Sequence, residues 1–229
     1  MKFKENLEGI EIIKKSADSF LFDESALNVL STLDKTREDF WNLDDTSANF
    51  LSLLVKIKGA KNALEIGTSN GYSGIWLANA LKETGGRLTT IEFWDNRLNV
   101  AIENFKKAGV DDIVETRLGQ AVMILEEMFM EIYPGKNVDN IDNEAFEDAV
   151  REYGEKLFDF VFIDANKSEY IKYFKLIHPI LKKGGVIVAD NILSHYKKVE
   201  PFVQTITSHP NYQTQLIPMD TGMLVSYKI

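Results

Sequence analysis

Two short stretches carry side chains that could do chemistry together. FVFIDANK holds Asp164 and Lys167, and VIVADN holds Asp190 and Asn191. Each is an apolar run that ends in polar residues. Two carboxylates and one amide oxygen make a hard-oxygen set, suited to Mg²⁺, Mn²⁺ or Ca²⁺ rather than a soft metal. Three protein ligands would leave positions for water or a chelating substrate. Lys167 follows Asp164 by one helical turn if a helix starts there. An ammonium beside a divalent cation has its neutral form favoured, which equips it as a base. Each piece alone has a plain reading: strand-end Asp and Asn residues are ordinary turn formers, and most lysines are merely solvated. Their occurrence together favours a metal site.

A second group surrounds ALEIGTSNGYSG, residues 63–74. Gly67 and Gly71 permit positive φ and close backbone approach to a ligand. The following SGIWLANAL would aim helix N-terminal amides at the same place. The spacing is G-x3-G-x2-G, not the G-x-G-x-x-G of dinucleotide enzymes. Glu65 ends the preceding apolar run, where a carboxylate is costly without partners. It either serves a sulfonium-bearing cofactor or caps nearby loop amides, and the cofactor reading is favoured. RLTTIEFWD ends its apolar run at Glu92, about where Rossmann-like folds set an acid on ribose hydroxyls. Exposed strand-end acids are common, but the glycine loop beside this one favours the ribose role. An acid here disfavours a 2′-phosphorylated cofactor.

These residues need a scaffold, and the pattern supplies one. Strand-like runs occupy 62–66, 87–93, 113–118, 157–164 and 185–190. Helical stretches lie near 73–84, 95–108, 120–132 and 168–181. Such alternation implies a parallel sheet covered on both faces. LFDFVFID is nearly all apolar, as a central strand should be. Helices over 21–33 and 47–57 precede the sheet, the second capped from Asp44 to Ser47, within an N-terminal helical segment 1–58. The runs 212–219 and 222–229 are separated only by Asp220 and Thr221, which permits an antiparallel hairpin. Residues 133–156 form a polar, acidic insert in which NEAFEDAVREYGEK could make a short amphipathic helix. A loop this long is usually functional or mobile. The whole, residues 1–229, reads as one domain.

Bulk properties narrow the class. Hydrophobic residues are 45% and charged residues 27% of 229, which suits a globular core. The net charge of −9 makes nucleic acid an unfavoured partner. The absence of cysteine excludes disulfides, thiolate metal sites and cysteine nucleophiles. No signal-like run and no stretch of membrane-span length occur, so a cytoplasmic enzyme is expected, with no membrane.

Residues 45–229 resemble the cation-dependent S-adenosylmethionine O-methyltransferases related to catechol and caffeoyl-coenzyme A methyltransferases. LEIGTSNGYSG resembles their first cofactor motif, TTIEF their ribose strand and GQA, residues 119–121, the stretch beside adenine. FDFVFIDANKSEY and GGVIVADN resemble their metal and base motifs, and HPNYQTQLIPMDTGMLVSYK their terminal hairpin. The resemblance implies an α/β Rossmann-like class I methyltransferase fold: a mostly parallel seven-stranded sheet, a C-terminal antiparallel hairpin and helices on both faces. It implies cofactor contacts at Glu65, Gly67, Thr68, Tyr72, Ser73, Glu92, Gly119, Ala121 and Asp164. It implies a metal, Mg²⁺ above Mn²⁺ or Ca²⁺, on Asp164, Asp190 and Asn191, with Lys167 as base. Tyr72 and Ser73 could equally pack and cap the helix start. The chain departs from the pattern at Asn166, where many relatives carry Asp. It departs again in the terminal turn, MDTG rather than GDG, which alters the acceptor-side wall. The 133–156 insert is longer than usual.

The expected reaction is methyl transfer to a small vicinal-dihydroxy phenolic acceptor, catechol-like or caffeoyl-like. Alternatives are methylation of a hydroxyuridine in tRNA, disfavoured by the charge, and an idle cofactor-binding protein. Trp41, Phe50 and neighbouring helices would offer a homodimer surface. Of the three histidines, His178, His195 and His209, only His195 could face the site, and a surface or capping role is the favoured reading for all three.

Overall fold

The computed structural model describes residues 24–229. The first residues of the helix expected over 21–33, and the readings made on residues 1–23, lie outside that range. Among the described residues three helices come first: α1 (Glu24–Asp34), the short α2 (Arg37–Phe40) and α3 (Asp45–Lys58). Asp44 caps α3 as expected, accepting from the amides of Thr46 and Ser47 at 2.9 and 3.1 Å.

The sheet has seven strands: β1 (Asn62–Ile66), β2 (Arg87–Glu92), β3 (Val114–Leu118), β4 (Phe158–Ile163), β5 (Leu181–Ala189), β6 (Tyr212–Ile217) and β7 (Met223–Lys228). Their spatial order is β3-β2-β1-β4-β5-β7-β6. The first five run parallel, and β7 lies antiparallel between β5 and β6. The helices that follow the strands are α4 (Tyr72–Thr84), α5 (Asp95–Lys107), α6 (Ala121–Ile132), α7 (Asn143–Tyr153), α8 (Tyr170–Ile180) and α9 (Tyr196–Ser208).

Period-two alternation splits the core into two layers. Leu64, Ile66, Val161 and Ile163 face a cluster built with α6, α8 and α9. Ala63, Phe160 and Phe162 face a cluster built with α1, α3, α4 and α5. Strands buried on both faces are apolar throughout, and their polar residues are forced to the ends. That is how Asp164 and Asp190 come to sit just beyond β4 and β5.

Three differences from the sequence pattern have physical causes. The hairpin loop runs from Pro218 to Gly222, not over two residues, because Ile217 already pairs with Met223. Pro218 has no N–H to extend the ladder. Helix α9 was not expected; Pro201 inside it masks the Val199, Phe202, Ile206 spacing that buries its inner face. Strand β5 starts at Leu181 rather than 185, with a register shift between Phe158 and Phe160 on β4.

The insert holds a 3-10 turn (Val138–Asn140) and α7, the amphipathic helix the pattern suggested. Ala145, Phe146 and Ala149 bury its inner face. Tyr133 donates to the Pro179 carbonyl at 2.9 Å, pinning the segment's start. No residue of 133–156 lines the cavity described next.

Candidate active site

A cavity of about 1090 Å³ opens at the carboxyl ends of the parallel strands, where open α/β sheets bind ligands. The glycine loop forms its floor. The stretch Phe40–Asp44 and the turn carrying Asp220 and Thr221 wall it. Of the residues expected to hold the cofactor, the metal or the proton, all but Glu65 line it.

Gly67 has φ 106°, and a Cβ there would lie 2.0 Å from the Asp164 carbonyl oxygen. Glycine is therefore needed for the loop after β1 to touch the loop after β4, beyond any approach to a ligand. Ile66 O accepts the Asp164 amide at 2.9 Å, and Ile163 O accepts the Asp190 amide at 3.0 Å. These bonds stitch the three loop starts together. Gly71, at φ 88°, caps α4 and turns the helix's first amides toward the cavity.

Glu65 lies beneath this floor, fully buried. Ser73 Oγ donates to its Oε1 and Thr90 Oγ1 to its Oε2, both at 2.6 Å. Thr68 extends the chain, 2.6 Å from Thr90. Burial drives the Glu65 carboxyl up to about 7, with the two hydroxyls pulling the other way. Tyr72 Oη donates to Asp45 at 2.8 Å, tying α4 to α3, while Asp45 also pairs with Arg37. Asn70 is buried at the cavity floor, and its Nδ2 has no hydrogen-bond partner among the described residues. An orphaned buried donor there is costly unless a ligand supplies an acceptor.

Glu92 is held by backbone. Its Oε2 accepts from the Ser69 amide at 2.8 Å and its Oε1 from the Trp94 amide at 2.9 Å. Each oxygen keeps a further lone pair for a hydroxyl. Gly119, at φ 149°, donates its amide to the Glu92 carbonyl, which brings residues 119–121 alongside.

Asp164, Lys167, Asp190 and Asn191 meet on the opposite wall. Lys167 Nζ lies 2.9 Å from Asp164 Oδ1. Asp190 is 2% exposed, and its carboxyl is pushed up to about 6 by burial and by the charge of Asp164. Asn191 adopts φ 62° and donates Nδ2 to Asp190 Oδ2 at 3.0 Å, which leaves its own oxygen free. Two carboxylates thus share one nearby ammonium. Surplus negative charge on hard oxygen donors is the condition a divalent cation relieves. Among the described residues no group of three or more His, Cys, Asp or Glu is set to hold a metal. The trio has only two such residues, the third donor being an amide.

Sequence reasoning missed several lining residues. Arg97 lies over the rings of Phe40 and Trp41, at 5.7 and 5.0 Å. Ser69 Oγ donates to the Phe40 carbonyl at 3.1 Å and so holds α2 over the loop. An Arg three residues into a helix and aromatics in a segment with no repeat give no signal until the chain folds. Thr221, read only as part of a turn, donates to Asp190. His195, for which a surface or capping role was the favoured reading, lines the cavity, while His178 and His209 pack together elsewhere, ring centroids 4.7 Å apart.

A fold of this topology around such a cavity is that of Rossmann-like methyltransferases, and the comparisons agree. The model of a family described as O-methyltransferase matches residues 28–142 and 137–224. The chain belongs to this family of S-adenosylmethionine-dependent O-methyltransferases. It is 33% identical to a catechol O-methyltransferase of Niastella koreensis over 80% of this chain and 74% of that one. It is 34% identical to a caffeoyl-CoA O-methyltransferase of Medicago sativa over 70% of this chain, a match that spans only 58% of the plant protein. An O-methyltransferase from Bacillus cereus, solved with S-adenosylhomocysteine, superposes with TM-score 0.72 at 26% identity, covering 95% and 97% of the two chains. One from Streptomyces achromogenes involved in tomaymycin synthesis, solved with S-adenosylmethionine, gives 0.73 at 26% identity over 94% and 95%.

Proposed function

We propose that this chain transfers the methyl group of S-adenosylmethionine to one hydroxyl of a small vicinal-dihydroxy phenol, with a divalent cation at Asp164, Asp190 and Asn191. The observation that carries the reading is the convergence of two unlike walls on one cavity. One wall offers Glu92 and the glycine loop; the other offers hard oxygens and Lys167.

The residues divide the work. Glu92 accepts the ribose hydroxyls on the lone pairs its two backbone amides leave free. Asn70 Nδ2, Gly67, Thr68 and the start of α4 at Tyr72 and Ser73 hold the methionine side. Glu65 braces Ser73 from below. Gly119 and Ala121 flank the base. A bound divalent cation would chelate the two acceptor oxygens and lower the proton affinity of one. Lys167 Nζ takes that proton, and Asp164 holds the ammonium in reach. The cavity walls align the oxyanion with the methyl group, which the cofactor has already activated.

The test is turnover of catechol and caffeate with S-adenosylmethionine, with Mg²⁺ or with excess chelator. Metal-dependent monomethylation of the diol, and none of a phenol with a single hydroxyl, is expected. Full activity in chelator would sink the metal, and no turnover of any diol would sink the acceptor class. Homodimerisation is also proposed, through α3, where Leu53 and Ile57 are exposed beside Phe50, and Trp41 is 76% exposed. Sedimentation at a single-chain mass would refute it. No described helix is long and apolar enough to cross a membrane.

A further inference from the structure

The turn between β6 and β7 is clamped onto the loop that follows β5. Ile192 donates its amide to Gly222 O at 2.9 Å, and Leu193 and Ser194 donate theirs to Thr221 O at 2.9 and 3.1 Å. Gly222, at φ 84°, presses so closely that a Cβ would lie 2.5 Å from Leu193 Cγ. This contact fixes the backbone of Thr221 next to Asp190. Thr221 Oγ1 then donates to Asp190 Oδ1 at 2.6 Å.

We propose that Thr221 is a positioning residue that aims the Asp190 carboxylate at the divalent-cation site. The inference rests on the metal reading above. An aspartate's terminal torsion is broad, so an unheld carboxylate samples many orientations. Here Asn191 Nδ2 holds Oδ2 and Thr221 Oγ1 holds Oδ1, and both keep lone pairs toward the cavity. The β-branched threonine has a stiff χ1 and stands on a backbone with three cross-loop hydrogen bonds. The hairpin turn, read from sequence as an acceptor wall, therefore also sets the geometry of a metal ligand. Outer partners of ligating carboxylates are worth 10–100-fold in metal affinity.

The experiment is Mn²⁺ binding to the full chain by electron paramagnetic resonance, with S-adenosylhomocysteine affinity by calorimetry as control. T221V and T221A should weaken Mn²⁺ by about 10–100-fold. T221S, which restores the hydroxyl, should bind Mn²⁺ as the unmodified chain does. S-adenosylhomocysteine affinity should be equal in all four proteins. T221A serves should the valine prevent folding. Unchanged Mn²⁺ affinity in T221V or T221A overturns the role of Thr221. So does T221S binding as weakly as T221A. An unmodified chain that binds no Mn²⁺ overturns the metal reading instead, which separates the two failures.

Discussion

Strand β5 ends at Ala189, just before Asp190, on one side of the sheet and begins at Leu181 on the other; these pair with Ile163 and Phe158 of β4, roughly 17 Å apart along the strand. Charge is buried at both ends. At the cavity, Asp164 and Asp190 share one lysine, and the carboxyl of Asp190 is pushed up to about 6. At the far end, Lys228 Nζ donates to the carbonyls of His178 and Leu181 at 2.6 and 2.7 Å. It also lies 4.2 Å from the Phe146 ring centroid. One end leaves charge uncompensated toward open space. The other surrounds its charge with donors' partners and closes the space with α7. Buried charge as such does not mark function; buried charge facing a cavity with donor capacity to spare does.

The largest test of this contrast is Asp190→Asn. It should lower kcat/KM on a diol by about 1000-fold, at the upper end of the cost of removing one preorganised electrostatic group. Calorimetry should find cofactor affinity unchanged. A mild loss of turnover would erase the distinction between the two ends.

Glu65→Gln sharpens the contrast within the cavity end. The Glu65 carboxyl is fully buried and rises to about 7 in the fold, against an ordinary value of 4.5. Between those values the folded chain holds a proton that the unfolded chain has released. Stability from this group is therefore full below about pH 4.5 and is lost as pH rises through about 7. The loss is about 3 kcal/mol at completion. Urea denaturation from pH 4.5 to 8 should show that slope in the unmodified chain and a flatter one in the variant. Equal slopes would mean that Glu65 is not desolvated as the fold implies.

The same contrast shows what was legible in the sequence. The strand ends Asp164, Asp190 and Glu92 were readable because apolar runs of strand length stop there. The glycine loop was readable because Gly67 and Gly71 interrupt a strand-to-helix passage. Thr221 was not, since only folding brings residue 221 beside residue 190. The far end was partly legible: alternation along β7 puts Lys228 on the face of Leu224 and Ser226, both buried. A lysine at the close of a strand nonetheless reads as solvent-exposed. The insert, read from sequence as functional or mobile, covers that lysine with Phe146. Its length served burial of the sheet's lower edge, which no local pattern announces.

Lys228→Met tests the far end directly. Methionine keeps most of the side chain's bulk but leaves the carbonyls of His178 and Leu181 without their donor. Unpaired buried acceptors cost about 2 kcal/mol. Thermal unfolding near neutral pH should show that loss, while kcat on a diol below the transition stays as in the unmodified chain. Burial lowers the Lys228 ammonium to about 7, against 10.5 in the unfolded chain. Between those values the unfolded chain binds the extra proton, so the stability of the unmodified chain relative to the variant should rise from pH 7 to pH 10. His178, lowered to about 3 by burial first and by Lys228 second, should titrate closer to its ordinary value in the variant. Lost turnover without lost stability would place Lys228 in the reaction. It would show that charge enclosed by backbone carbonyls can matter to catalysis as much as charge left open to a ligand.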